Sequence, residues 1–264
     1  MPAGRLVAGL YQNPLLLPKM DNTPPGPNNR TMPPRIKICG VTRPQDAALA
    51  ARLGADAIGM IFYPPARRCI SLDTARQILR ALPAFVTPVG LFVDQPIDEI
   101  RRMAGELKLT TLQLHGSESP ETVAALNDFT ILKALRTDPD TLPFELAMWR
   151  GTIAAGNLAH LKGFVMETAA PKPPSQHSVS STQHSSGGTG VPNNFSLLAS
   201  LQSAGAFDGL PPLIAAGGLR PETVGDVVRL LHPFAVDVSS GIESEFGIKS
   251  AEKIETFIRA ATNA

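Results

Sequence analysis

The sequence predicts an α/β protein of the (β/α)8 TIM barrel class, and two observations support this prediction. From about residue 35 onward, short β-branched runs alternate with amphipathic segments, and eight such pairs follow one another to the C-terminus. The chain has 264 residues, which accommodates a barrel of roughly 250 residues. An open doubly wound sheet is the alternative, but no G-x-G-x-x-G follows the first predicted strand.

The alternation assigns each element in turn. Predicted strands cover 36–40, 56–62, 88–93, 110–114, 130–135, 162–167, 212–216 and 234–238. Predicted helices cover 44–53, 72–81, 96–106, 119–126, 141–148, 195–203, 221–231 and 249–262. In such a barrel the carboxyl ends of all eight strands share one face, and that face carries the active site.

Two segments fall outside this rhythm. Residues 1–34 are rich in proline with little periodicity and are expected to be a flexible leader, so that the barrel domain spans 35–264. Residues 169–190 are rich in Ser, Pro, Gln, His and Gly and are expected to be a flexible insertion in the loop after strand six. Its His177 and His184 lack a third ligand in a rigid element, and no metal site is predicted.

Composition excludes several classes of partner. The chain has 24 Lys and Arg against 23 Asp and Glu, giving a net charge of +1 without long runs of one sign, so neither nucleic acid nor an acidic membrane is an expected partner. The two cysteines, Cys39 and Cys69, match no disulfide framework or zinc motif, which favours a reducing cytoplasm. The apolar stretch 6–17 is broken by Gly, Asn and Pro, and no targeting signal or membrane span is expected.

Several strand ends carry groups that suit chemistry. Cys39 ends strand one, where a thiol is a candidate nucleophile or base, although a lone cysteine is also a common small buried hydrophobe. Glu167 ends strand six, and Gln113 and His115 end strand four. Arg67 and Arg68 follow strand two, where one of them is expected to bind an anion and the other to be a solvated loop charge.

Glycine-bearing turns follow the last two predicted strands. Residues 215–218 read AAGG and residues 237–243 read DVSSGIE. In (β/α)8 barrels the loops after strands seven and eight commonly present backbone N–H groups to a phosphate, and glycine allows the backbone to approach the oxygens. Ordinary tight turns are the alternative, but the position of both turns in the eightfold count favours a phosphate site.

These motifs also occur in a recognisable order. They are 37–42 (KICGVT), 54–59 (GADAIG), 62–64 (FYP), Arg68 before 70–71 (IS), 89–93 (VGLFV), 112–116 (LQLHG), 187–190 (GGTG), 216–219 (AGGL) and 234–243 (FAVDVSSGIE). Together, over about residues 35–262, they resemble the phosphoribosylanthranilate isomerases of tryptophan biosynthesis.

The resemblance implies a cofactor-free Amadori rearrangement of a small phosphorylated substrate by a monomer or homodimer. Cys39 matches the general base of the family, and Arg68 matches the residue that holds the anthranilate carboxylate. Other matching positions are expected to bind substrate. Those of the phosphate cradle are Gly188, Gly217, Gly218, Ser239, Ser240 and Gly241, and the remaining ones are Gln113, His115 and Asp237.

The chain departs from the family where the resemblance implies the general acid. The family carries an aspartate at the end of strand six, whereas this sequence has Glu167. We expect Glu167 to be the acid, with Asp237 as the next carboxylate to consider. The alternatives are a degenerate phosphate-binding barrel with weak or no isomerase activity and the related indole-glycerol-phosphate synthase or histidine-pathway isomerase. Cys39 argues against the histidine-pathway enzyme.

Overall fold

The computed structural model describes residues 32–156, 158–168 and 193–264, and Pro33–Ala264 form one compact unit. Eight parallel strands close into a barrel in the order β1 to β8, with helices between successive strands. The predicted (β/α)8 fold class is therefore confirmed. The leader up to residue 31 and the insertion 169–190 lie outside the described residues, so their predicted flexibility stays a prediction.

The strands and helices follow the predicted order. The barrel strands are β1 Arg35–Ile38, β2 Ala57–Ile61, β3 Thr87–Phe92, β4 Thr111–Leu114, β5 Thr130–Arg136, β6 Leu161–Glu167, β7 Leu213–Ala215 and β8 Ala235–Val238. The helices are α1 Pro44–Leu53, α2 Leu72–Ala81, α3 Ile97–Leu107, α4 Pro120–Ala125, α5 Leu142–Ala154, α6 Phe195–Ser203, α7 Val224–Leu231 and α8 Ala251–Thr262. Most ends differ from the predicted ones by one to three residues, as expected for frayed termini.

One substructure after β8 was not predicted. A short 3-10 helix, Ser240–Ile242, leads into a small antiparallel hairpin made of β9 Glu243–Glu245 and β10 Ile248–Lys249. Helix α8 therefore begins at Ala251 rather than at the predicted residue 249, because Lys249 belongs to β10. This hairpin lies beside the carboxyl ends of the strands and contributes residues to the site described below.

Polar residues at helix starts explain several helix boundaries. The side chains of Ser71, Ser119, Asn194 and Ser250 each accept a hydrogen bond from a backbone N–H three residues later, at the starts of α2, α4, α6 and α8. Such caps satisfy otherwise unpaired donors and typically contribute about 1 kcal/mol each.

Side chains alternate in direction along each strand, so one set faces the barrel interior and the other faces the core beneath the helices. In β1, Ile36 and Ile38 belong to the large outer core, whereas Lys37 and Cys39 face the interior. The interior also holds a separate apolar cluster of Ala134, Val165, Ile214, Ala216 and Ala235, with Leu132 packed against it. This apolar packing leaves the carboxyl ends of the strands for polar side chains.

The described residues carry no obvious membrane or metal feature. None of the helices in this part of the chain is long and apolar enough to cross a membrane. Within the same residues, no three His, Cys, Asp or Glu side chains are grouped as metal ligands. His177 and His184 lie outside the described residues.

Candidate active site

A cavity of about 340 Å³ opens at the carboxyl ends of the strands, within the usual size range of small-molecule sites. Most residues that the sequence analysis predicted to be site residues line this cavity. They are Cys39, Arg68, Gln113, His115, Glu167, Gly217, Gly218, Asp237, Ser239, Ser240 and Gly241. Gly188 lies outside the described residues, so its assignment to a phosphate cradle stays a prediction.

A buried ion pair supports the thiol of Cys39. Lys37 Nζ lies 2.7 Å from Asp237 Oδ2, and the register places Lys37 directly opposite Asp237 on β8. Burial opposes the charge of Lys37, but Asp237 outweighs burial and raises the pKa of Lys37, which keeps the lysine charged. Burial raises the pKa of the Cys39 thiol, whereas the positive charge of Lys37 acts to lower it. Lys37 therefore favours the thiolate that a base requires.

Glu167 has the protonation behaviour of a general acid near neutral pH. Its side chain is half-buried on the cavity wall, and desolvation, followed by the charge of Asp237, raises its pKa to about 7. Among the described residues Glu167 forms no salt bridge, although Arg136 lies opposite it in the β5–β6 register. A carboxyl group with this pKa can carry a proton at neutral pH and release it to a substrate.

Lys133 is not available to neutralise Glu167. Its Nζ lies 2.9 Å from Glu118 Oε2 and also donates to the carbonyl oxygens of Gly116 and Ala134. Although burial opposes ionisation of Glu118, Lys133 and backbone N–H donors hold the pKa of Glu118 below its usual value. This buried network ties the loop after β4 to β5. Pairing with Lys133, which would disqualify Glu167 as an acid, is therefore absent from the described residues.

Gln113 and His115 form a polar pair on the wall above β4. Gln113 Nε2 lies 2.8 Å from His115 Nδ1, and as assigned the amide donates, which places the imidazole proton on Nε2. Burial, followed by the nearby Lys133 and Lys37, lowers the pKa of His115 to about 3, so the ring is neutral at physiological pH. Gln113 Oε1 and Asp237 Oδ1 are buried and have no hydrogen-bond partner among the described residues, which leaves two acceptors that suit substrate hydroxyl groups.

Arg68 is anchored rather than free. Its Nε and Nη2 donate to the two carboxylate oxygens of Glu243 at 2.8 and 2.7 Å, and both side chains are buried. Lys249 Nζ reaches Glu243 at 3.0 Å and the Ser239 carbonyl at 2.9 Å. Despite partial burial, these two cations hold the pKa of Glu243 below its ordinary value. The Arg68 guanidinium is thereby fixed at the cavity wall.

Close backbone packing joins the loops after β6, β7 and β8. Asn193 Nδ2 donates to the carbonyl oxygens of Met166 and Ala216 at 2.7 and 2.9 Å. Gly217 has φ +88°, and a Cβ on Gly241 would overlap the carbonyl oxygen of Leu219. Only glycine permits this approach of two main chains, which brings the turns after β7 and β8 together at one side of the cavity.

The charges around the cavity favour an anionic ligand. Among the described residues that line or directly support the cavity wall, the cations are Lys37, Arg67, Arg68 and Lys249, and the carboxyl groups are Glu167, Asp237 and Glu243. The cations outnumber these carboxylates even though the whole chain carries a net charge of only +1. The fold, the thiol and carboxyl group that share one cavity, and this charge balance are those of a (β/α)8-barrel enzyme with a site for a small anionic ligand.

Comparisons with known proteins identify the family within that class. Residues 36–260 match the family model described as N-(5'-phosphoribosyl)anthranilate (PRA) isomerase. The N-(5'-phosphoribosyl)anthranilate isomerases of Azotobacter vinelandii and Myxococcus xanthus are 39% and 38% identical to the chain. The alignments cover 87% and 86% of this chain and 98% and 95% of theirs. The chain therefore belongs to the phosphoribosylanthranilate isomerase family, whose members are isomerases of tryptophan biosynthesis, as the sequence predicted.

Solved structures agree with this assignment. Phosphoribosyl anthranilate isomerase from Thermus thermophilus has a TM-score of 0.69 and 32% identity, covering 87% of this chain and 98% of the other. A second isomerase, in complex with reduced 1-(o-carboxyphenylamino)-1-deoxyribulose 5-phosphate, has a TM-score of 0.69 and 30% identity, covering 88% and 100% of the two chains.

Sequence reasoning missed the residues that act through others. Lys37 stands out only as a charged residue between two isoleucines in a strand, and its partner is 200 positions away. Glu243 was recognised as part of a motif but not as the anchor of Arg68. Lys249 and Phe246 belong to the hairpin that was not predicted.

Proposed function

We propose that this chain converts N-(5-phosphoribosyl)anthranilate into 1-(2-carboxyphenylamino)-1-deoxyribulose 5-phosphate, with Glu167 as general acid and Cys39 as general base. The observation that carries this proposal is that the two side chains line one cavity, where the pKa of Glu167 is raised to about 7. Conversion of freshly prepared substrate, followed by the change in anthranilate fluorescence, tests the activity. Complementation of a tryptophan auxotroph that lacks this step tests it in cells.

The reaction divides into two proton transfers. Glu167 donates its proton to the furanose ring oxygen, which breaks the bond between C1 and that oxygen and leaves a Schiff base with the anthranilate nitrogen. The Cys39 thiolate then removes the proton from C2. The electron pair of that C–H bond forms the C1–C2 double bond while the π pair of the C1–N bond returns to nitrogen, which gives an enolamine. Tautomerisation of the enolamine gives the keto product. The positive charge of Lys37 stabilises the thiolate before the second step.

Two anion contacts orient the substrate between acid and base. The glycine-bearing turns after β7 and β8 offer backbone N–H groups to the 5-phosphate, and Arg68 offers its remaining donors to the anthranilate carboxylate. Asp237 Oδ1 and Gln113 Oε1, which are buried and have no partner in the described part of the chain, accept hydrogen bonds from the ribose hydroxyls, and His115 contributes a neutral donor. Holding both ends of the substrate keeps the reacting carbon within reach of Cys39.

The first prediction concerns Arg68. Replacement by methionine is expected to raise KM at least about tenfold because a charge-assisted contact with the carboxylate is lost. It also leaves Glu243 with Lys249 as its remaining cation, so the melting temperature should fall. The matched control is Arg68→Lys, which keeps a cation beside Glu243 and should lose less stability, while KM stays high because the planar guanidinium donors are lost. An unchanged KM in Arg68→Met would remove Arg68 from substrate binding.

The second prediction concerns the close approach at Gly241. Gly241→Ala forces the turns after β7 and β8 apart and is expected to raise KM for the phosphorylated substrate by about tenfold or more. Gly105→Ala is the matched control, because no atom of the described residues lies within 4 Å of a Cβ on this α3 residue. The control should leave KM unchanged and stabilise the helix by up to about 1 kcal/mol. Unchanged KM in Gly241→Ala would show that this backbone does not hold phosphate.

The proposed site requires only one chain. All of its described residues come from a single barrel, which supports an active monomer as well as a homodimer. Monomers generated from a dimeric isomerase of Thermotoga maritima are similar to this chain, with a TM-score of 0.68 and 28% identity. We place the enzyme in the cytoplasm, since both described cysteines are free thiols. Sedimentation of the purified chain would determine its oligomeric state.

A further inference from the structure

Arg67 is a second arginine at the open end of the cavity that the proposed mechanism does not use. Its side chain is exposed, lines the cavity and forms no salt bridge with a described residue. The Arg67 guanidinium carbon lies 3.8 Å from the ring centroid of Phe246, and that of Arg68 lies 4.3 Å from the same centroid. One aromatic ring therefore holds both guanidinium groups beside the cavity.

The hairpin of β9 and β10 fixes the position of Phe246. Thr42 Oγ1 donates to the Gly247 carbonyl oxygen at 2.7 Å, which ties the hairpin turn to the loop after β1. The backbone N–H of Lys249 donates to Asp46 Oδ2 at 3.1 Å, and Lys253 Nζ donates to the Glu243 carbonyl oxygen at 2.7 Å. Phe246 is 44% exposed, yet its backbone is held on both sides. Arg67 thus stacks on a fixed platform, which reduces the entropy lost when it binds an anion.

Arg68 alone offers an incomplete carboxylate site. Glu243 occupies the edge formed by Nε and Nη2, the edge that usually receives a carboxylate in the bidentate geometry. Glu243 also compensates the charge of Arg68, whereas no described carboxylate pairs with Arg67. The uncompensated charge closest to this end of the cavity is therefore that of Arg67.

We propose that Arg67, held by Phe246, is a specificity-determining residue that binds the aryl carboxylate of the substrate together with Arg68. This inference rests on the proposed function, because it assigns a second contact to that substrate. Arg67 supplies charge from the open end of the cavity and Arg68 supplies donors from the wall. The pair selects an arylamine that carries a carboxylate over one that does not.

Two ligands that differ only in the carboxylate test this role. One is reduced 1-(o-carboxyphenylamino)-1-deoxyribulose 5-phosphate, and the other is its phenylamino analogue without the carboxyl group. Their dissociation constants are measured by titration calorimetry for the parent chain, Arg67→Met, Arg67→Lys and Phe246→Leu. Arg80→Met is the matched control, because Arg80 is an exposed arginine in the last turn of α2. Melting temperatures check that each variant is folded.

Arg67→Met is expected to weaken the carboxylated ligand about tenfold and the analogue less than about twofold. Arg67→Lys should lose part of this discrimination, since it keeps the charge without the planar stack, and Phe246→Leu should lose a similar part. Equal effects on both ligands, or no effect on either, would overturn the role of Arg67. Unchanged discrimination in Phe246→Leu would overturn the role of the platform. A parent chain that binds neither ligand and converts no substrate would instead overturn the proposed function.

Discussion

Cys39→Ser is expected to lower kcat by about 1000-fold, while KM changes by less than about threefold. A thiol has an ordinary pKa of about 8.5, whereas a serine hydroxyl is far less acidic and cannot supply an anionic base at neutral pH. The substitution is nearly isosteric and the side chain lies on the cavity wall, so the loss should fall on catalysis rather than on folding. Steady-state kinetics and the melting temperature of the purified variant measure both quantities.

Cys69→Ser is the matched control for this result. Cys69 is half-buried after β2 and does not line the cavity. Its substitution is expected to change kcat less than about twofold and the free energy of unfolding by less than about 1 kcal/mol. A Cys39→Ser variant that retained a tenth or more of the parent kcat would end the assignment of Cys39 as the base.

Local sequence was enough to predict the barrel because each element is encoded by its own residues. The Ile36–Lys37–Ile38 alternation acts over a few positions and can be read without a structure. The hairpin after β8 escaped prediction because its strands have three and two residues, too few to establish a period.

The position of residues at the carboxyl ends of the strands likewise predicted which side chains meet in the cavity. It did not predict how those side chains are paired. Cys39, Gln113 and Glu167 line it because the carboxyl ends of parallel strands share one face. The sequence alone could not show that Asp237 forms an ion pair with Lys37, since this contact joins residues far apart in the chain.

Arg68 shows how an unknown side-chain partner affects an interpretation made from the sequence. From the sequence it is an arginine free to receive a carboxylate, whereas in the structure one edge of its guanidinium is already bound by Glu243. The pairing shifts attention to Arg67, which the sequence could describe only as one of two adjacent charges. Phe246, which is close to Arg67 in space but remote in sequence, distinguishes it from an ordinary loop arginine.

Glu167→Gln is expected to lower kcat by about 100- to 1000-fold, because the amide keeps the shape of the side chain but cannot protonate the ring oxygen.

The reactive state combines a protonated Glu167 with a deprotonated Cys39. Since burial raises the pKa of the thiol above its ordinary value, it remains higher than the pKa of about 7 for Glu167. The reactive state is then a minor form of the singly protonated pair, and kcat/KM of the parent should rise with pH through about 7 and fall above the pKa of the thiol.

Glu167→Asp distinguishes a site fitted to glutamate from one degraded relative to its family. The shorter side chain withdraws the carboxyl group from the ring oxygen, and a displacement of about 1 Å can cost about 100-fold in rate. If the surrounding site is fitted to Glu167, kcat should fall by about that factor, and the limb of the pH profile near 7 should move with the new carboxyl group. A gain in kcat on this substitution would show instead that the parent site is impaired. Glu167→Gln with an intact rate, measured on fresh substrate, would move the acid to another group, and Asp237→Asn would then be the next variant to assay.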